Sequence, residues 1–248
     1  MIDEKNLKCI ESKSTVYELF GIPGSGKTFL ANRLIKALDP QVKFGATSMK
    51  VGLEPRVLRV FKKILLVLLG VVTRPAIVIQ LYHILRLYPQ TGPFSMAKVA
   101  FNWLYIAGAI VRDDRSSSIV VLDQGLAQAC WATAFSGKRW PNPRSTARVL
   151  RRLVRCLSLD HLFIVSVETT NRIPPWAVCL YGKRGSTSPL DRKPIGNLSL
   201  AIETTKHIRS VVDIAANQSA HISVLPIHNM GSGLTSPCIK DLISSCSH

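Results

Sequence analysis

The sequence lacks most of the features that mark a secreted, metal-built or serine-hydrolase chain. Its six cysteines, Cys9, Cys130, Cys156, Cys179, Cys238 and Cys246, contain no CxxC pair, so neither a zinc knuckle nor a disulfide framework is indicated and a reducing compartment fits best. The six histidines are dispersed without metal-ligand spacing, and there is no G-x-S-x-G elbow. Acid is scarce: 15 Asp and Glu stand against 32 Lys and Arg, a net charge of +17 that favours polyanions, nucleotides and acidic lipid surfaces as partners. Within the most apolar tract, Val57 to Leu87, no uncharged run reaches the roughly 18–20 residues of a spanning helix, because Lys62, Lys63, Arg74 and Pro75 cut it. Residues 1–14 carry Asp3, Glu4, Lys5, Lys8, Glu11 and Lys13 around no apolar centre, which argues against a secretory signal. The expectation is a cytoplasmic protein, with peripheral contact at an anionic membrane permitted and nucleic acid a less favoured partner.

What is present is globular. Of the 248 residues 47% are hydrophobic and 19% charged, enough apolar material for one sizeable core, and a single domain over 1–248 is expected. Four β-branched, apolar runs read as strands: TVYELF at 15–20, SIVVL at 118–122, HLFIVSV at 161–167 and HISVLPI at 221–227, with a shorter one around Val42 to Phe44. Helical spacing follows the first from Phe29 to Leu38 and recurs near 55–70, 75–88, 95–111, 126–135, 145–157 and 196–218. Alternating strands and helices imply a parallel sheet covered on both faces, with ligands at the carboxyl ends of strands. The fold expected is a three-layer α/β/α P-loop fold with about five strands and a helical insertion at about 53–112. Residues 170–195 form a long loop and 231–248 a loose tail.

The chemistry concentrates in GIPGSGKT, Gly21 to Thr28, which satisfies G-x-x-x-x-G-K-[ST]. Glycines at Gly21, Gly24 and Gly26 free backbone N–H groups to converge on phosphates at a helix N-terminus, and Pro23 stiffens the turn. Lys27 would neutralise the β and γ phosphates, and the Thr28 hydroxyl would sit on Mg²⁺. The predicted phosphate-binding set is Gly21, Ile22, Pro23, Gly24, Ser25, Gly26, Lys27, Thr28 and Phe29. Such a pattern arises by chance in on the order of one chain in a hundred, so the strand before it and the helix after it carry much of the weight.

Asp123 ends the IVVL run before Gly125, where a carboxylate can hold magnesium through water or accept a proton; a simple turn or helix-cap aspartate is its competing reading. Arg172, Lys183, Arg184, Arg192 and Lys193 stand among glycines and serines in the long loop, as cations able to close over a triphosphate or as a solvated basic loop. Arg144, Arg148, Arg151, Arg152 and Arg155 line one helix face opposite Val149, Leu150, Leu153, Val154 and Leu157, a solvated stripe or a surface for an anionic partner.

On the strength of residues 15–38, LDQG at 122–125, KRGSTSPLDRK at 183–193 and the closing helix and strand, the chain resembles nucleoside and nucleotide kinases of the P-loop class. The nearest likeness is to thymidylate-kinase-like proteins of bacterial surface-polysaccharide gene clusters. That resemblance implies transfer of the ATP γ-phosphoryl group to a small acceptor, with Lys27, Asp123 and the lid arginine Arg184 catalytic, and with Thr28 and Asp123 holding Mg²⁺. It departs from the pattern at Gln124, where Arg or Glu is common, at Leu180, where a further lid arginine is expected, and in the apolar acceptor region 45–115, which has no thymidylate-binding motif. Glu54, Arg56, Arg112 and Asp114 are the polar acceptor candidates there. A regulatory or assembly NTPase acting on a membrane, nucleic-acid or protein partner is the alternative, and a nucleotide-binding module without turnover a third reading.

Overall fold

The computed structural model describes residues 15–22, 25, 27, 30–31, 56–114, 119–169 and 194–229. Within them the chain is α/β, with four parallel strands and six helices. Strand β1 (Thr15–Phe20) is followed by helices α1 (Arg56–Thr73), α2 (Ala76–Leu87) and α3 (Pro93–Asp114), then by β2 (Ile119–Leu122). Helices α4 (Leu126–Ser136) and α5 (Pro143–Cys156) lead to β3 (His161–Thr169), and α6 (Pro194–Asn217) to β4 (Ile222–Asn229). The expected strand near 42–44, residues 170–193 of the loop expected at 170–195 and the tail from 231 lie outside the described residues, whereas Pro194 and Ile195 open α6 rather than close a loop.

The sheet order is β2-β1-β3-β4, and β1 pairs with both neighbours, Thr15 against Ile119 on one side and His161 on the other. The chain leaves β1 toward β2 and leaves β3 toward β4, so the direction of winding reverses between β1 and β3. A parallel sheet opens its ligand crevice at such a reversal, beyond the carboxyl ends of the strands.

Alternation along each strand divides the core. Val16, Phe20, Val120, Leu122, Leu162, Ile164 and Ile222 face α2 to α6 in the larger apolar cluster. Tyr17, Leu19, Val121, Val165, Val167 and Ile227 face the other way, against Leu30 and Ala31 of the helical turn after the glycine loop. Strands buried on both faces explain why all four read as continuous apolar runs rather than alternating ones.

Three helices, α3, α5 and α6, begin two residues earlier than their periodicity suggests. Pro93 and Pro143 look like breakers in the sequence but open α3 and α5, where a missing N–H costs nothing because the first turn has no intrahelical partner for it. Asn142 completes the start of α5 by accepting from the Arg144 amide at 2.9 Å. That helix then buries Val149, Leu150, Leu153 and Val154, each worth about 1.5–3 kcal/mol, while Arg144, Arg148, Arg152 and Arg155 stay exposed.

Candidate phosphate-binding site

Phe20 ends the central strand and Gly21 turns the chain across β3. A Cβ at Gly21 would stand 2.8 Å from the Val167 carbonyl oxygen and 3.0 Å from Ser25 Oγ, so only glycine lets the loop lie this close to the neighbouring strand. The Ser25 amide donates to the Ile22 carbonyl at 3.1 Å, closing a turn, and the chain is helical at Lys27, Leu30 and Ala31. The arrangement is strand, tight loop, helix, at the carboxyl edge of the sheet.

Lys27 folds back over this loop. Its Nζ donates to the carbonyls of Gly21 at 2.8 Å and Ile22 at 2.9 Å, which fixes the ammonium above the strand end. Burial lowers its pKa to about 8, against the opposing pull of Asp123 and Glu18. Asp123 lies in the bend that follows β2, partly buried and within electrostatic range of the same ammonium. The structure therefore brings together two of the three predicted catalytic residues. Pro23, Gly24, Gly26, Thr28, Phe29 and Arg184 lie outside the described residues, as does Glu54. Arg56 opens α1, and Arg112 and Asp114 close α3 just ahead of β2, whereas the glycine loop and Asp123 stand where strands end.

The structure adds a residue that the sequence reading passed over. Glu18, in the middle of β1, is fully buried and points toward the amino end of α4. Its Oε2 accepts from the Ala127 amide at 3.0 Å and its Oε1 from the Gln128 amide at 2.7 Å, with further backbone hydrogen bonds from Gly125 and Leu126. Gly125 precedes α4 without any side-chain cap of its own, so Glu18 supplies the cap from another strand. Desolvation raises the Glu18 pKa to about 7, and the four amide donors pull against that rise. Contact is tight: a Cβ on Gly125 would come within 2.6 Å of Glu18 Cδ. One signal was available, a lone acid inside TVYELF, since a carboxylate in a strand buried on both faces needs a partner.

Glu18 holds α4, and the two residues just before Gly125 are Asp123 and Gln124. The strand end, the lysine and the aspartate are thereby tied to one buried anchor. Among the described residues no cluster of His, Cys, Asp or Glu could hold a metal alone. Magnesium carried in by a triphosphate takes one or two protein oxygens and keeps phosphate and water for the rest. The sharp Gly21 turn, the ammonium above it and the neighbouring Asp123 carboxylate fit such a group. No protein-family model matches the sequence, and no curated protein is significantly similar to it.

Proposed function

We propose that the chain is an ATP-dependent small-molecule kinase of the three-layer P-loop type, with the triphosphate on Gly21 to Thr28 and Mg²⁺ shared between Thr28, Asp123 and the phosphates. One observation carries the reading. Lys27 is pinned over a glycine turn at the carboxyl end of the central strand, beside Asp123 and at the winding reversal of a parallel sheet. Apolar packing on both sheet faces supports the layered fold.

In this scheme Lys27 exchanges its loop carbonyls for phosphate oxygens and neutralises the charge that builds on the transferred group. Asp123 receives the proton of the acceptor hydroxyl as that oxygen bonds to the γ-phosphorus and the bond to the departing diphosphate breaks. Arg184, the lid cation the resemblance implies, would add further positive charge to the transferred group. Magnesium held by Thr28 and Asp123 would supply neutralisation of the charge on the transferring phosphoryl group.

The test pairs calorimetry with transfer assays. Mg·ATP should bind the intact protein and not Lys27→Met, and radiolabelled γ-phosphate should appear on one member of a panel of nucleosides, nucleotides, sugars and lipid-linked sugars. Binding with no transfer to any acceptor, but with hydrolysis stimulated by vesicles, nucleic acid or protein, would assign the chain to the regulatory NTPases instead. No heat of binding with Mg·ATP or Mg·GTP would remove both.

A further inference from the structure

Where α1 and α3 meet, after β1 and before β2, the residue sizes are reversed. Helices α1 and α3 cross at glycine: a Cβ on Gly108 would overlap the Leu66 carbonyl oxygen at 1.8 Å, and one on Gly70 would lie 3.0 Å from Gly108 Cα. Small residues thus form the contact, and the large ones on α1 turn outward. Val57, Phe61, Leu68 and Val72 are 83%, 57%, 53% and 77% exposed, with Ile64 and Leu65 between them. Their spacing of three and four residues makes a single stripe along the helix. Water-soluble helices place such a stripe inward; small residues inside and large ones outside is the arrangement of helices bathed in an apolar medium.

Charge says which medium. From Pro55 to Arg112 the sequence holds eight Lys and Arg and no Asp or Glu. At about 100° per residue, Lys62 falls beyond one edge of the α1 stripe, and Lys63 turns toward α3, its ammonium resting 5.0 Å over the Tyr105 ring. Apolar side chains facing out of a region that is basic and free of acid match the acyl boundary and the headgroups of an acidic bilayer. A second copy of the same face would bring like charges together. A spanning arrangement does not suit the region either. The long apolar helix α3 buries Trp103, Ile106, Ala107 and Ile110 in the main core, and α1 and α2 bend by 107° at Arg74-Pro75.

We infer that the outward face of α1, continued by exposed Val78, Ile79 and Tyr82 of α2, docks the protein onto an anionic lipid bilayer as an interfacial helix pair lying in the membrane plane. This inference stands apart from the phosphate chemistry, since it rests on residues of the helical region alone.

Sedimentation with vesicles tests it on the whole protein, without nucleotide. The protein should pellet with vesicles of phosphatidylcholine containing phosphatidylglycerol, weakly with phosphatidylcholine alone, and less as salt rises. Phe61→Asp and Val72→Asp should each lower partitioning about tenfold without lowering the melting temperature, since both side chains are already exposed. Should either variant fold poorly, hydroxyl-radical footprinting of the unaltered protein provides the same readout, with Phe61 and Leu68 protected by acidic vesicles. Absence from the acidic pellet, unchanged partitioning of folded variants, or equal labelling with and without vesicles overturns the inference. So does a dimer that Val72→Asp dissociates, which would assign the face to a second copy.

Discussion

Glu18 shows how one side chain can join two parts of a site. It satisfies amides that α4 would otherwise leave unpaired, so Glu18→Ala should lose about 2–4 kcal/mol in urea unfolding. Gly125→Ala should also destabilise, because its methyl meets a carboxylate that is held at both oxygens and cannot swing away. Adding Glu18→Asp, with its shorter stem, should recover part of that loss, a coupling that a double-mutant cycle measures. The same carboxyl imposes a pH dependence. Its pKa rises from an ordinary 4.5 to about 7 on folding, so between those values the native state holds a proton that the unfolded chain has released. This contribution favours folding at the acid end and declines as pH climbs to 7, and Glu18→Gln should flatten that slope. Lys27 has the opposite sign of cost: folding depresses it to about 8, so in the free protein its charge opposes folding below that pH and the penalty fades above it. Lys27→Met should therefore abolish nucleotide binding while leaving the melting temperature equal or higher, a trade between activity and stability common at functional sites. Lys27 and Asp123 were legible from motif and strand position. Glu18 was not, because its role depends on a helix that comes more than a hundred residues later in the chain.

At the scale of elements, the periodicities located all four described strands and six described helices to within a few residues, and the errors have a common cause. Prolines read as breaks at Pro93 and Pro143 stand in first turns, which a linear pattern cannot distinguish from the residue before a helix. The crossing of α1 over α3 was invisible for a different reason: Gly70 and Gly108 are unremarkable alone, and only their meeting reveals how near the two backbones run. Gly108→Leu should push α1 off α3 and make α1 a preferred site of limited chymotrypsin cleavage, while the sheet keeps its slow hydrogen exchange. The arginine stripe on α5 follows its sequence expectation more simply. Arg148 and Arg152 are exposed and the opposite face is buried, so replacing both with Gln should change stability by less than about 0.5 kcal/mol.

For the whole molecule, composition and alternation were enough to anticipate a parallel α/β sheet, but not the order of its strands, since pairing is decided by contacts distant in sequence. That order has a consequence for synthesis. Strand β1 is an inner strand that precedes the other described strands, and its partners are Ile119 to Leu122 and His161 to Ser166. As the polypeptide leaves the ribosome, the apolar segment TVYELF must wait for β2 before one hydrogen-bonded edge receives it and for β3 before the second edge does. Nascent chains stalled before β3 should leave β1 open to protease and to holding chaperones, and chains stalled well beyond it should not; pulse proteolysis of ribosome-bound chains of graded length would read the change. The strand that carries the candidate glycine loop would then find its place only long after it is made.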